Sequence, residues 1–316
     1  MKILVSVISI LLGFVAGALL MLSSGANPLT GFSYLFQGGL KSVTRICNTI
    51  AYAVPLMLTG LSVTFAFKTG LFNIGAPGQM LIGGLLANVL ALTAGLPRPL
   101  LLPLVITDHF KSTTIDTESQ VIPAAASLKT EAITLLTKGS NLNLGIFIAI
   151  IATALVIFIL NRTVLGYEMK AVGFNRFAAE YGGINVQKNA VLAMVISGAL
   201  SGLAGLTFYC GYLSNMRIGV MPSQGFDGIA VALLANCAPV GVVFAAIFFA
   251  ILQTGKGFMN AMMPIPPEIA DTIIATVIYF AATSKLIEMN LDRIKKFFGR
   301  KRPSKSEGSG EHVEHH

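Results

Sequence analysis

Charge is what this sequence has least of. Asp, Glu, Lys and Arg together make up 11% of its 316 residues, against about 25% in an ordinary soluble domain. A water-soluble globular chain is thereby excluded. Cysteine is nearly absent. Cys47, Cys210 and Cys237 lie in or beside apolar runs without C-x-x-C spacing, which argues against a disulfide framework or a metal site and for buried free thiols. Histidine is scarce too: three of four lie at the carboxyl end and His109 lies in a polar loop. Acids near the apolar interior reduce to Asp227 and Asp271. Ion-coupled carriers hold ionisable groups at membrane depth to bind the coupling ion, and no such relay is present. A P-loop and a nucleophile–base pair are also missing. We expect no catalytic residue, no metal and no cofactor on this chain.

What is there is apolar sequence. Mean hydropathy is +0.76. Hydrophobic segments recur at 3–22, 46–67, 78–105, 144–161, 189–213, 239–256 and 269–284, most of them close to the ~20 residues that cross a bilayer as a helix. The expected fold class is all-α, a polytopic transmembrane helix bundle. It occupies 1–286 as one membrane domain, with a basic cytoplasmic tail at 287–316 whose end is disordered. Lys2 precedes the first run, but its length and the lack of an A-x-A site after it favour a retained span over a signal peptide. The shorter segment 226–237 is parted from its successor by Ala238-Pro239, where one helix should stop and another start.

Charge then orients the spans. Lys285 to Lys305 holds eight basic and two acidic residues, a net of +6 out of +8 for the whole chain. That cluster directly follows a span, where basic residues mark the cytoplasmic side. It therefore speaks for topology rather than for nucleic acid as a partner, with membrane lipid as an alternative contact. The loop 162–188 is also positive, at +2, whereas 107–143 is at −1 and reads as an external elaboration. Placing 162–188 and the tail on one side requires an even number of crossings between them. The short 226–237 segment must then cross as a fourth. The expectation is eight crossings with both termini cytoplasmic, which leaves Lys41 and Arg45 outside.

Two stretches carry chemistry. Residues 66–84 run from an apolar span through G-L-F-N-I-G-A-P-G-Q into another. Irregular backbone at membrane depth is tolerated only where it is buried in protein or lines a polar cavity. The amides Asn73 and Gln79 must find partners or line water there. Phe72 and Phe226 either stack on a planar solute or pack in the bundle. Asp227 either caps a helix or accepts hydrogen bonds from sugar hydroxyls at a cavity edge. Ser197, Gly198, Ser201, Gly202 and Gly205 form small-residue rows four apart, suited to close helix packing. The second stretch is G-Y-E-M-K-A-V-G-F-N-R-F-A-A-E-Y-G-G-I at 166–184. Asn175 is a helix cap with Phe174 in the stapling position, and Phe174, Phe177, Ala178 and Tyr181 form an apolar stripe ended by Gly182-Gly183. Such a helix can lie on the bilayer, pack on its own bundle or fit a groove in a partner.

This second stretch resembles the cytoplasmic coupling segment of ABC-type importer permeases of the branched-chain amino acid, ribose and nucleoside superfamily. F-K-T-G-L-F-N-I-G-A-P-G-Q and G-F-D-G-I-A-V-A-L-L-A resemble the nucleoside and simple-sugar branch. The resemblance covers most of 46–105 and 140–285. It implies that Gly173, Phe174, Asn175, Phe177, Ala178, Ala179, Tyr181 and Gly182 meet an ATPase subunit. It also implies that the segments holding Phe72, Asn73, Gly75, Gln79, Phe226, Asp227 and Asn236 border a translocation path. The implied setting is a bacterial plasma membrane, with ATP and Mg on the ATPase, a second permease subunit (identical or related) and an extracellular substrate-binding lipoprotein. The implied cargo is a nucleoside. One departure is a helix pair that the family carries and this chain lacks around 97–105. Two other readings stay open: an ATP-independent facilitator or channel for small polar solutes, and a non-transporting truncated permease.

Overall fold

The computed structural model describes residues 2–93, 118–217, 219–263 and 266–283. The tail at 287–316 and the position of the missing helix pair at 97–105 lie outside them. The described residues are all-α: α1 (Lys2–Ser23), α2 (Pro28–Leu40), α3 (Val43–Lys68), α4 (Ala76–Thr93), α5 (Glu131–Leu136), α6 (Gly145–Arg162), α7 (Val164–Phe174), α8 (Arg176–Tyr181), α9 (Val186–Thr207), α10 (Gln224–Leu234), α11 (Pro239–Met262) and α12 (Pro267–Ala282). α9 continues as a π-helical turn, Phe208–Leu213. Five helices, α1, α3, α6, α9 with its π turn, and α11, are long and apolar enough to cross a membrane.

α3 is the axis. Its apolar window is 83% buried, against 22–44% in the other four, as expected of a helix that is hydrophobic on every side. α6, α9, α10 and α11 pack around it. Small residues let backbones touch, since lipid tails give helices no hydrophobic reason to associate. A Cβ at Gly205 would strike the Met80 carbonyl, and Gly202 meets Gly83. The small-residue row on α9 is thus a packing seam with α4. Gly38 and Gly255 make the same kind of contact between α2 and α11.

α2 was not legible as a separate element. It is only 13 residues long and carries three glycines, opened by an Asn27 cap and Pro28. It does not disturb the crossing count. Gly31 meets Met263 and Gly38 meets Gly255, so α2 runs antiparallel to α11. α3 does the same: Thr49 Oγ1 lies 2.9 Å from Thr254 Oγ1, and Gly60 meets Val242. α2 and α3 therefore travel in one direction and share one passage. Among the described residues the pairings arrange α1, α2–α3, α4, α6, α9, α10, α11 and α12 as eight successive runs through the bundle. Ser6, near the start of α1, lies beside Asn236 at the α10–α11 turn. α12 runs back antiparallel to α1, Ile273 against Gly17 and Val277 against Gly13. Both described ends thus lie on the face that carries 162–188.

On the opposite face, 118–143 folds onto the end of α9. Ile122 N donates to Ser214 O at 3.0 Å and Leu128 N to Cys210 O at 2.9 Å, while Glu118 pairs with Arg217 at 2.9 Å. Lys129 is partly enclosed there, and burial lowers its ammonium below the usual lysine range. Its Nζ donates to Asn141 Oδ1 at 3.1 Å. Cys47 and Cys210 are free thiols.

Candidate translocation site and coupling segment

α3 ends at Lys68, and the chain turns back into the bundle through 69–75 before α4 begins at Ala76. Gly70, at φ +72°, makes this return. The depth reached is set by Asn73. Its Nδ2 donates to Ser197 Oγ at 2.7 Å and to Gln79 Oε1 at 2.8 Å, with Ser62 Oγ a longer 3.3 Å away. Ser62 lies six residues inside the end of α3, about 9 Å along the helix. The serines are also bonded to one another, Ser62 to Ser197 and Ser201 to Ser62, both at 2.8 Å. Asn73 is 1% exposed, and its Oδ1 has no partner. It acts as a strut that locks α3, α4 and α9 together. Gln79, one turn into α4, is only half-buried. Gly75 stands beside it, in contact with both amides. Phe72 is exposed and leans on Phe67 at 5.1 Å.

The start of α10 meets the start of α4. A Cβ at Gly225 would come within 2.7 Å of Pro77 Cβ, and Thr59 Oγ1 donates to Gln224 O at 3.0 Å, pinning α10 to α3. α10 has 11 residues, about 16 Å, so it does not span the ~30 Å hydrocarbon layer by itself. The chain enters it through 219–223, which precede the helix. Two interrupted helices thus converge with their positive ends inside the bundle, one break entering from each face.

A second polar group lies beside this junction. Asp227, in the first turn of α10, receives Gln253 Nε2 at 3.4 Å. Lys256, one turn further along α11, pairs with Asp271 of α12 at 2.7 Å. These side chains, with Ser223, Ile274, Ala275, Ile278 and Tyr279, line a cavity of about 440 Å³. Phe226 is exposed next to Asp227. Attention to acids alone misses Gln253 and Lys256. The available signal was their i, i+3 spacing on one face of an otherwise apolar span.

Of the expected path residues, Asn73, Gly75 and Gln79 fall together in the re-entrant break, with Phe72 at its edge. Phe226 and Asp227 fall together at the α10 cavity. Asn236 joins neither group. It sits at φ +51° in the left-handed turn between α10 and α11, with Nδ2 3.4 Å from Ser6 Oγ.

At the face bearing 162–188, Thr163 caps α7 through Gly166 N at 3.1 Å. Asn175 ends α7 and caps α8, accepting from Phe177 N and Ala178 N at 3.1 Å each. Gly183, at φ +79°, ends α8. Ala179 is buried against Val172 and Val186, which anchors the helix. The aromatics are not: Phe174, Phe177 and Tyr181 are 94%, 76% and 95% exposed. Phe174 therefore does not staple onto the first turn, because Ala179, at the stapling position, is already covered from the other side. Gly173 abuts the Lys68 carbonyl and stands 3.0 Å, measured from a Cβ placed on it, from Gly70 N. The segment 166–184 and the polar break thus approach each other backbone to backbone.

Residues 104–282 match the family described as branched-chain amino acid transport system / permease component. The chain is 37% identical to the nucleoside ABC transporter permease protein NupB of Lactococcus lactis, over 93% of this chain and 94% of that one. It is 35% identical to the guanosine ABC transporter permease protein NupP of Bacillus subtilis, over 93% and 97%. It is 25% identical to the glucose ABC transporter permease protein TsgB13 of Haloferax volcanii, over 89% and 87%. The NupB alignment runs over 346 positions against 316 residues here, so that relative carries at least 30 residues that this chain does not. No solved structure matches the chain.

Proposed function

Because the chain belongs to the branched-chain amino acid transport permease family, we propose that it is the membrane subunit of an ATP-driven importer that carries nucleosides. The family makes it a multi-pass membrane permease with a transport rather than an enzymatic role. The finer reading is ours. The face bearing 162–188 is cytoplasmic, as are both termini, and α8 docks in a cleft of an ATPase that binds ATP and Mg. A second permease subunit completes the path, and an extracellular lipoprotein delivers the solute. The observation that carries this is a bare aromatic set, Phe174 at the end of α7 with Phe177 and Tyr181 on α8, the helix anchored through Ala179. Exposed aromatics on a rigid, capped turn are what a partner groove recognises. Movement of α8 reaches the polar break through the Gly173–Gly70 contact, and the interrupted helices shift between outward- and inward-open arrangements.

Nucleosides are favoured as cargo by the names of the two more similar relatives. The test is co-purification with the ATPase, paired with solute uptake, in the Phe177→Asp/Tyr181→Asp variant. Loss of both with membrane insertion intact is expected. Retained ATPase binding and uptake would refute the docking role. The residues that NupB carries beyond this chain favour a second reading, a permease that inserts without transporting. Assembly with all partners but no uptake would establish it. Flux through the purified chain alone, without ATP, would instead establish a facilitator.

A further inference from the structure

We propose that the cavity between α10, α11 and α12 is a stopping point for the solute, where the Asp227 carboxylate grips vicinal hydroxyls and phosphorylated forms are turned away. This deepens the nucleoside-import reading and rests on it. Ionisable groups in membrane spans are costly and usually functional, and Asp227 shares this cavity with Lys256 and Asp271, whose side chains are 34% and 59% exposed. Lys256 and Asp271 satisfy each other at 2.7 Å. Asp227 feels the same lysine from further off and makes no ion-pair contact of its own among the described residues. Gln253 Nε2, at 3.4 Å, is long for a hydrogen bond, and an ionised carboxylate has about four acceptor positions to fill. Two adjacent hydroxyls can fill two of them at once, with charge-assisted bonds. One lysine against two carboxylates leaves the cavity at −1, which repels phosphate and accepts a neutral solute. Ile274, Ile278 and Tyr279, on α12 with Asp271, form the apolar part of the wall, and the Tyr279 ring offers a flat surface to a base or sugar face. The volume of about 440 Å³ falls within the range of small-molecule sites, roughly 300–1,000 Å³. A carboxylate serving only the positive end of α10 would show no dependence on solute hydroxyls, and the two roles separate on that point.

The experiment uses the complete permease–ATPase complex in lipid nanodiscs, photolabelled with 8-azidoguanosine. The competitors are guanosine, 2′,3′-dideoxyguanosine and guanosine 5′-monophosphate. Label is expected in peptides containing 253–256 or 274–279. Guanosine should protect, and the monophosphate should not. Asp227→Asn should weaken protection by guanosine about tenfold or more while leaving protection by the dideoxy analogue unchanged. Ile278→Trp, which fills the cavity from its apolar wall without touching a charge, should abolish protected labelling even if Asp227→Asn fails to assemble. Labelling elsewhere, or equal loss for both competitors in Asp227→Asn, overturns the assignment. Guanosine uptake by the wild-type complex, measured in parallel, separates the two levels. If uptake is present, the import reading survives the loss of this site. If it is absent, both fall.

Discussion

Replacing Gly173 with alanine should separate ATP hydrolysis from transport. The added methyl would meet the Lys68 carbonyl oxygen, and would stand 3.0 Å from Gly70 N and from Lys68 C. Non-bonded heavy atoms prefer about 3.5–4.0 Å. All the colliding atoms are backbone, so no side chain can swing aside, and α7 must move away from the polar break. Overpacking of this kind costs about 1–3 kcal/mol. Alanine returns up to about 1 kcal/mol as the better helix former, which does not cancel a backbone collision. The remainder, up to about 2 kcal/mol, weakens the contact proposed to carry motion into 69–75. Each 1.4 kcal/mol is worth about tenfold, so solute moved per ATP hydrolysed should fall about tenfold. ATPase binding should persist, since Phe174, Phe177 and Tyr181 are untouched. The assay is proteoliposomes holding the complete complex and its binding lipoprotein, with uptake and phosphate release measured together. Gly257→Ala is the control, because nothing lies within 4 Å of its added carbon. Wild-type coupling in Gly173→Ala would refute the linkage, and so would loss of ATPase binding.

Two further outcomes can be checked. Asn73→Leu removes the hub of the amide–hydroxyl group while the serines keep their mutual bonds. Gln79 Oε1 loses its partner, so stability in detergent should fall by about 1–3 kcal/mol, read as a lower thermal aggregation temperature. In a cysteine-free background, Tyr181→Cys should react with an impermeant maleimide only in inside-out vesicles, and Leu135→Cys only in right-side-out cells. Both positions are exposed, so the reverse pattern would invert the membrane orientation assigned to the chain.

Length and hydropathy made the long spans legible, because about 20 apolar residues have few other uses. The short 226–237 crossing was legible from charge parity. The same parity argument survived the unforeseen α2, since that helix turns no corner. α2 itself was hidden because 13 residues with three glycines carry neither the length nor the periodicity of a span. At the site, the glycine-rich break announced an irregular backbone, but not whether a given amide would face inward or outward. Asn73 became a strut and Gln79 did not, and only the position of Ser62 and Ser197 decides that. The Asp227 cavity was half legible. Its carboxylates stood out by scarcity, whereas Lys256 and Gln253 came into view only when α11 was laid against α10 and α12. The aromatic stripe on α8 was readable from its spacing, while its freedom from the bundle depended on Ala179 turning the other way.

The shared heading of α2 and α3 has an evolutionary corollary. A segment that continues the direction of its successor is silent to the membrane: it can lengthen, shrink or vanish without turning any later loop inside out. Helices lost in pairs have the same immunity. A lineage can therefore whittle such a permease at either kind of place and still leave the segment 166–184 on the same side of the bundle.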